Sequence, residues 1–180
     1  GADEEVQANF RESLRVLGQV ASIDEVEMLE GFPSGEVTRT ILNAEAASAF
    51  EDFLETGRAS ELTAPEDRYG GYARMSLLAT DYIRALQLAD NFNQVLNGIF
   101  ERYEAILTPA APSEAPLGPD ATGRAIFSMI WTLCGTPTVT VPVLECGRRM
   151  PLGVQVVGRQ TTDGRLLRMA RWLVDFVQAC

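Results

Sequence analysis

The sequence contains no histidine and no lysine in its 180 residues, and all 15 of its basic residues are arginine. Without histidine, the serine and cysteine triads that use imidazole are excluded, as are most zinc sites and metal-ligand spacings such as HExxH. Without lysine, Schiff-base chemistry and phosphate-binding P-loops are excluded. No GxGxxG run opens a helix after a strand, so no dinucleotide site is expected; neither is any metal or other cofactor. The three cysteines, Cys134, Cys146 and Cys180, are irregularly spaced and odd in number, which fits free thiols in a reducing compartment better than a disulfide framework. No basic segment followed by an apolar core opens the chain, and no apolar run is long enough to span a bilayer. A cytoplasmic location is the expectation.

Charge narrows the partners. Twenty-five acidic residues against 15 basic ones give a formal net charge of -10. Nucleic-acid binding and docking on anionic lipid both draw on positive charge, so neither nucleic acid nor membrane is an expected partner. The all-arginine basic set reads as codon composition rather than chemistry. Carboxylate pairs such as Glu25/Glu27 and Glu51/Asp52 lie in polar segments with nothing apolar to raise a pKa, and read as solvated faces. Cys134 lies in the apolar run MIWTLCG without a cationic neighbour, and reads as a buried structural thiol.

At 46% hydrophobic residues the chain can bury a core. Val6, Phe10, Leu14 and Leu17 recur at helical spacing ahead of Gly18. Val20, Ile23 and Val26 suggest a short edge or parallel strand. A second helix is predicted over 37–55, a surface loop over 58–72, and a long helix over 73–101 with Thr80 or Asp81 as a point of interruption. A strand stopped by Pro109 follows, then an irregular Pro/Ala/Gly stretch over 108–122. The alternating valines of TVTVPV and the run LGVQVV predict two strands, and Thr162-Asp163 caps a final helix through Gln178. The fold class is therefore α/β. Residues 1–102 are mainly helical, and 103–180 are richer in strands and end in a helix. About four short strands make a thin sheet for this much apolar helix, the first sign that partner strands lie elsewhere.

The segments of the last third come in a fixed order: Tyr103-Glu104-Ala105-Ile106-Leu107-Thr108-Pro109, then Trp131-Thr132-Leu133-Cys134-Gly135-Thr136-Pro137 running into Val141-Pro142, then Pro151-Leu152-Gly153-Val154-Gln155-Val156-Val157-Gly158, and Asp163 leading to Leu166-Leu167 and Ala170. This series resembles the C-terminal part of the amidase signature family, serine hydrolases that cleave carboxamides. Asn43-Ala44-Glu45-Ala46 and Asp81-Tyr82-Ile83-Arg84-Ala85 also look like that family's pattern. The likeness is strong after about residue 103 and weak before it.

The resemblance implies one partial domain over 1–180, contributing a few strands to a mixed sheet flanked by helices. It also implies that the family's lysine–serine–serine machinery lies outside this chain, so the chain alone is expected to be inactive. Phe127, Ile130 and Trp131 would line the acyl side of the substrate pocket, and Arg74 would meet an anionic substrate; ordinary core and a solvated arginine are the competing readings. Glutamine-binding subunits of tRNA amidotransferases place an aspartate ahead of the Gly-x-Pro segment. Residues 125–131 hold no acid here, so that role is not expected. The expected partners are a small-molecule amide and the N-terminal amidase portion, with homo-oligomers compatible with uncovered strand edges. A non-catalytic amidase-like interaction module and an unrelated α/β binding domain are the alternatives.

Overall fold

The computed structural model describes residues 2–27, 35–58, 76–118, 123–145 and 150–179. The elements run α1 (Glu4–Leu17), α2 (Gly35–Ala49), α3 (Glu51–Glu55), α4 (Ala79–Phe100), β1 (Ile106–Pro109), α5 (Ile126–Cys134), β2 (Thr138–Glu145), β3 (Pro151–Val157) and α6 (Asp163–Ala179). The chain divides into two compact units. One comprises residues 1–30 and 94–180, the other residues 31–93. Among the described residues no helix is long and apolar enough to cross a membrane.

The first unit is built on a three-stranded sheet in the order β1-β3-β2, with both ladders antiparallel. β3 is central, and every residue from Leu152 to Val157 is buried. A strand covered on both faces reads as a continuous apolar run, which is why LGVQVV shows little alternation. Val156 joins Leu17, Val141, Leu166, Ala170 and Leu173 in the main core, while Val154 and Leu152 pack with Val6. Burying a valine or leucine stabilises by about 1.5–3 kcal/mol, so this row anchors the unit. Helix α6 presents Leu166, Ala170 and Leu173 at i, i+4 and i+7 to that core. Helix α1 is pinned at its start by the Asp3 N–H, which donates to Pro112 O at 2.8 Å.

Prolines shape the sheet edges. Pro109 ends β1 on an edge strand, where a missing N–H costs no ladder bond, and Pro142 sits in the β2 irregularity between Val141 and Leu144. Gly153 is demanded by packing, since a Cβ there would lie 2.1 Å from Thr140 Cγ2. Gly158 similarly lets Leu166 of α6 approach β3; a Cβ would meet Leu166 Cβ at 3.2 Å.

In the second unit, the single helix expected over 37–55 is two, α2 and α3, with Phe50 between them. Gly57, at φ 72°, follows α3. Helix α4 begins at Ala79, next to the interruption point expected at Thr80 or Asp81, and within this unit buries Ala85, Ala89 and Phe92. The Tyr82 hydroxyl donates to Glu45 Oε1 at 3.3 Å, tying α4 to α2. The loop expected over 58–72 lies almost wholly outside the described residues.

The strand expected around Val20–Val26 does not form. Residues 18–20 are a turn and 22–27 follow without regular structure. Ile23 packs instead on the main core, and Val20 and Val26 are exposed. Helix α5 is an element that periodicity does not reveal. Its residues IFSMIWTLC are apolar except for Ser128 and Thr132, and without polar contrast a buried helix cannot be distinguished from a strand.

Candidate functional site

Helix α5 brings three of the four expected pocket residues together. Phe127, Ile130 and Trp131 stand at i, i+3 and i+4, which places them on one helical face. Phe127 and Ile130 are half-buried and Trp131 is 3% exposed. The fourth, Arg74, lies outside the described residues. The helix's two hydroxyls turn inward to its own backbone: Ser128 Oγ donates to Ala125 O and Thr132 Oγ1 to Ser128 O, both at 3.1 Å. The apolar face is thereby left without a polar side chain of its own.

The end of α5 is fixed from several sides. Gly135 adopts a left-handed φ of 61°; its N–H donates to Thr132 O and that of Thr136 to Trp131 O, the paired bonds of a Schellman motif. The Gly135-Thr136 part of the Gly-x-Pro segment is thus a helix stop, with glycine at the position where L side chains are strained. Gln160 Nε2 donates to Cys134 O, and the Gly158 N–H donates to Pro137 O at 2.9 Å. The turn is therefore locked to the loop leaving β3. Nothing in the sequence signals the Gln160 contact, which joins residues 26 apart.

Trp131 Nε1 is buried and has no hydrogen-bond partner among the described residues. Buried indole N–H groups usually find an acceptor. Cys134, one helical turn beyond Trp131's neighbour Ile130, is 1% exposed and free, and burial pushes its thiol up to about 11. It is protonated at neutral pH and a poor nucleophile. Its reading as a structural thiol stands.

Ser13 and Ser113, like Ser128, donate to backbone carbonyls. Glu12 is held below the usual carboxylate range by its hydrogen bond from Arg15, but both lie open to solvent. Glu25, Glu27, Glu51 and Asp52 are all exposed, in keeping with solvated faces. No group of three His, Cys, Asp or Glu residues that could hold a metal occurs among the described residues. Helix α5 presents an apolar face.

Known proteins share this fold. The family profile described as Amidase matches residues 2–167. A glutamyl-tRNA(Gln) amidotransferase chain of Thermotoga maritima is 33% identical over 94 residues, spanning 49% of this chain and 20% of that protein. A fatty acid amide hydrolase of Medicago truncatula is 25% identical over 182 aligned positions, covering 92% of this chain and 30% of that enzyme. A crystal structure of an amidase superposes with a TM-score of 0.82 at 27% identity, over 96% of this chain and 42% of that one. The chain thus spans between a fifth and a third of these curated relatives, and its few strands and flanking helices reproduce one part of a larger amidase fold. The chain belongs to the amidase family.

Proposed function

We propose that this chain is the C-terminal, substrate-pocket and scaffold portion of an amidase-family hydrolase that cleaves the C–N bond of carboxamides. The observation that carries the reading is the α5 face. Phe127, Ile130 and Trp131 share one side of a helix whose end is locked by the Schellman turn and by Gln160. A rigid apolar wall of this kind suits the acyl part of a substrate, which needs shape rather than charge.

The nucleophile and its base then come from polypeptide outside residues 1–180, and this chain alone is inactive. The absence of lysine and histidine from the sequence supports this, as does the engagement of Ser13, Ser113 and Ser128 with backbone. In the overall reaction the acyl group passes from nitrogen to the nucleophile and then to water, and the amine leaves with a proton from the base. This chain's part is to hold the acyl group so that its carbonyl faces that machinery. No metal or cofactor is required by the scheme. Residues 125–131 offer no carboxylate for a substrate ammonium, which favours carboxamides without an α-amine over glutamine. Arg74 remains a proposed contact for an anionic substrate.

The test is a series of carboxamides with acyl groups of increasing size, hydrolysed by a polypeptide that joins this chain to the upstream catalytic part. Phe127→Ala and Ile130→Ala should shift the preference toward bulkier acyl groups, by about tenfold or more in relative kcat/KM. Equal effects on every member of the series would show that this face does not contact the acyl group.

A further inference from the structure

Helix α5 has nine residues, and its two ends are held very differently. At its start Ala125 supplies no side-chain cap. At its end the last backbone carbonyls lack partners within the helix, as in any α-helix. The Gly135 and Thr136 N–H groups take Thr132 O and Trp131 O, and the Thr136 hydroxyl adds a second bond to Trp131 O at 3.3 Å. Cys134 O is taken by the side-chain amide of Gln160, from the loop that leaves β3. The helix is therefore placed from its C-terminal end, and Gln160 reaches that end from 26 residues away.

The loop around Gln160 aims it. The Gly158 N–H donates to Pro137 O at 2.9 Å, which fixes the start of the loop against the Gly-x-Pro turn. Arg159 O accepts from the Thr162 N–H at 3.2 Å and from the Thr162 hydroxyl at 2.7 Å, which closes the far side. Between them Thr161 adopts a left-handed φ of 63°. That conformation disfavours β-branched residues and persists only where the surroundings dictate it. The Thr161 hydroxyl donates back to Gln160 O at 2.6 Å. Opposite, Gly135 leaves room for the amide: a Cβ there would stand 3.4 Å from Gln160 Nε2. Gln160 itself is exposed, so its truncation opens no cavity in the core. Its contribution is directional, aimed at one carbonyl.

We propose that Gln160 is a positioning residue for acyl selectivity. It does not touch the substrate; through Cys134 O it sets where α5 stands, and so where Phe127 and Ile130 meet the acyl group. The inference rests on the reading of that face as the acyl wall. A wall free to shift changes which acyl groups fit, because discrimination in an apolar pocket turns on single methylene groups. Loss of the latch blurs the preference among acyl sizes rather than lowering all rates alike.

The test uses the polypeptide that joins this chain to the upstream catalytic part, with the same acyl series. Gln160→Ala should lower the ratio of kcat/KM between the best acyl group and its next larger homologue by about fivefold or more, with Tm nearly unchanged. Gln160→Met keeps the length of the side chain but removes the donor, and should behave as Gln160→Ala does. In a Phe127→Ala, Ile130→Ala background, Gln160→Ala should change the ratio little further, since its effect runs through those residues. An equal drop for every acyl group, full selectivity in Gln160→Met, or additive effects in the combined variant would each overturn the proposal. Unchanged selectivity in Gln160→Ala beside a shift in Phe127→Ala and Ile130→Ala would remove the Gln160 role and leave the acyl wall standing. No shift in any of these variants would remove both.

Discussion

The sheet unit and the helical unit bury their apolar residues very differently. In the first, β3 is buried along six consecutive residues and α6 turns Leu166, Ala170 and Leu173 onto it. In the second, α2 buries no residue at all, and α4 leaves Leu78, Ile83, Leu86 and Leu88 between 40% and 65% exposed just before and along its first half. A helix whose hydrophobic residues lie uncovered is one whose partner surface is elsewhere, whereas the sheet unit already holds enough of its own core to define a register. The sheet unit thus holds a core of its own, whereas the described residues of the helical unit leave more apolar surface uncovered.

The largest effect should come from truncating the sheet core. Leu166→Ala, at 2% exposure and in contact range of Gly158, should cost about 2–5 kcal/mol in urea unfolding, while Leu86→Ala at 40% exposure should stay within about 0.5 kcal/mol. Similar costs at both positions would erase the contrast. Next comes Gly153→Ala, which forces a Cβ against Thr140 Cγ2 and should cost about 1–3 kcal/mol. Thr140→Ser removes that methyl, so the double variant should recover most of the loss; a strictly additive result would mean the clash is not the cause.

A smaller effect is expected from pH. The Cys134 thiol is raised by burial to about 11, above its unfolded value. Its contribution to stability is therefore complete below the unfolded pKa and is lost as pH rises from there through the folded one. In a Cys146→Ser, Cys180→Ser background, melts should weaken across that alkaline window, and thiol labelling at neutral pH should be slow; fast labelling of the folded chain would contradict the burial. Least perturbing to stability, replacing Leu78, Ile83 and Leu88 by glutamine should leave the melt nearly unchanged. Sedimentation should show less self-association, because exposed apolar surface drives it. Unaltered association would place the sticky surface elsewhere.

Much of this contrast can be read in the residues themselves, for reasons that differ by element. Helix α1, β1, β2, β3 and α6 carry strong periodicity, valine alternation or proline stops, and each occurs within a few residues of its expected bounds. The expected strand near Ile23 fails because β-branched residues fit a strand only where a neighbour offers hydrogen bonds, and none runs beside residues 21–27 among the described residues. Helix α5 is illegible because its apolar residues surround it. The candidate site shares that fate in part. The identities of Phe127, Ile130 and Trp131 follow from motif resemblance, but their common face requires the helix, and the Gln160 latch requires the fold. Gly153 can be read as a backbone device, though its partner Thr140 cannot, since the contact depends on the β2–β3 register.

The central claim is that this chain shapes an amidase pocket and leaves bond breaking to residues outside it. Ammonia release from a panel of carboxamides, measured for the purified 180-residue chain and for the polypeptide translated from the coding sequence upstream of Gly1 through Cys180, tests it most directly. No turnover by the 180-residue chain is expected under any condition, and hydrolysis is expected from the longer polypeptide. Turnover by the 180-residue chain alone, surviving repurification and scaling with its concentration, would contradict it.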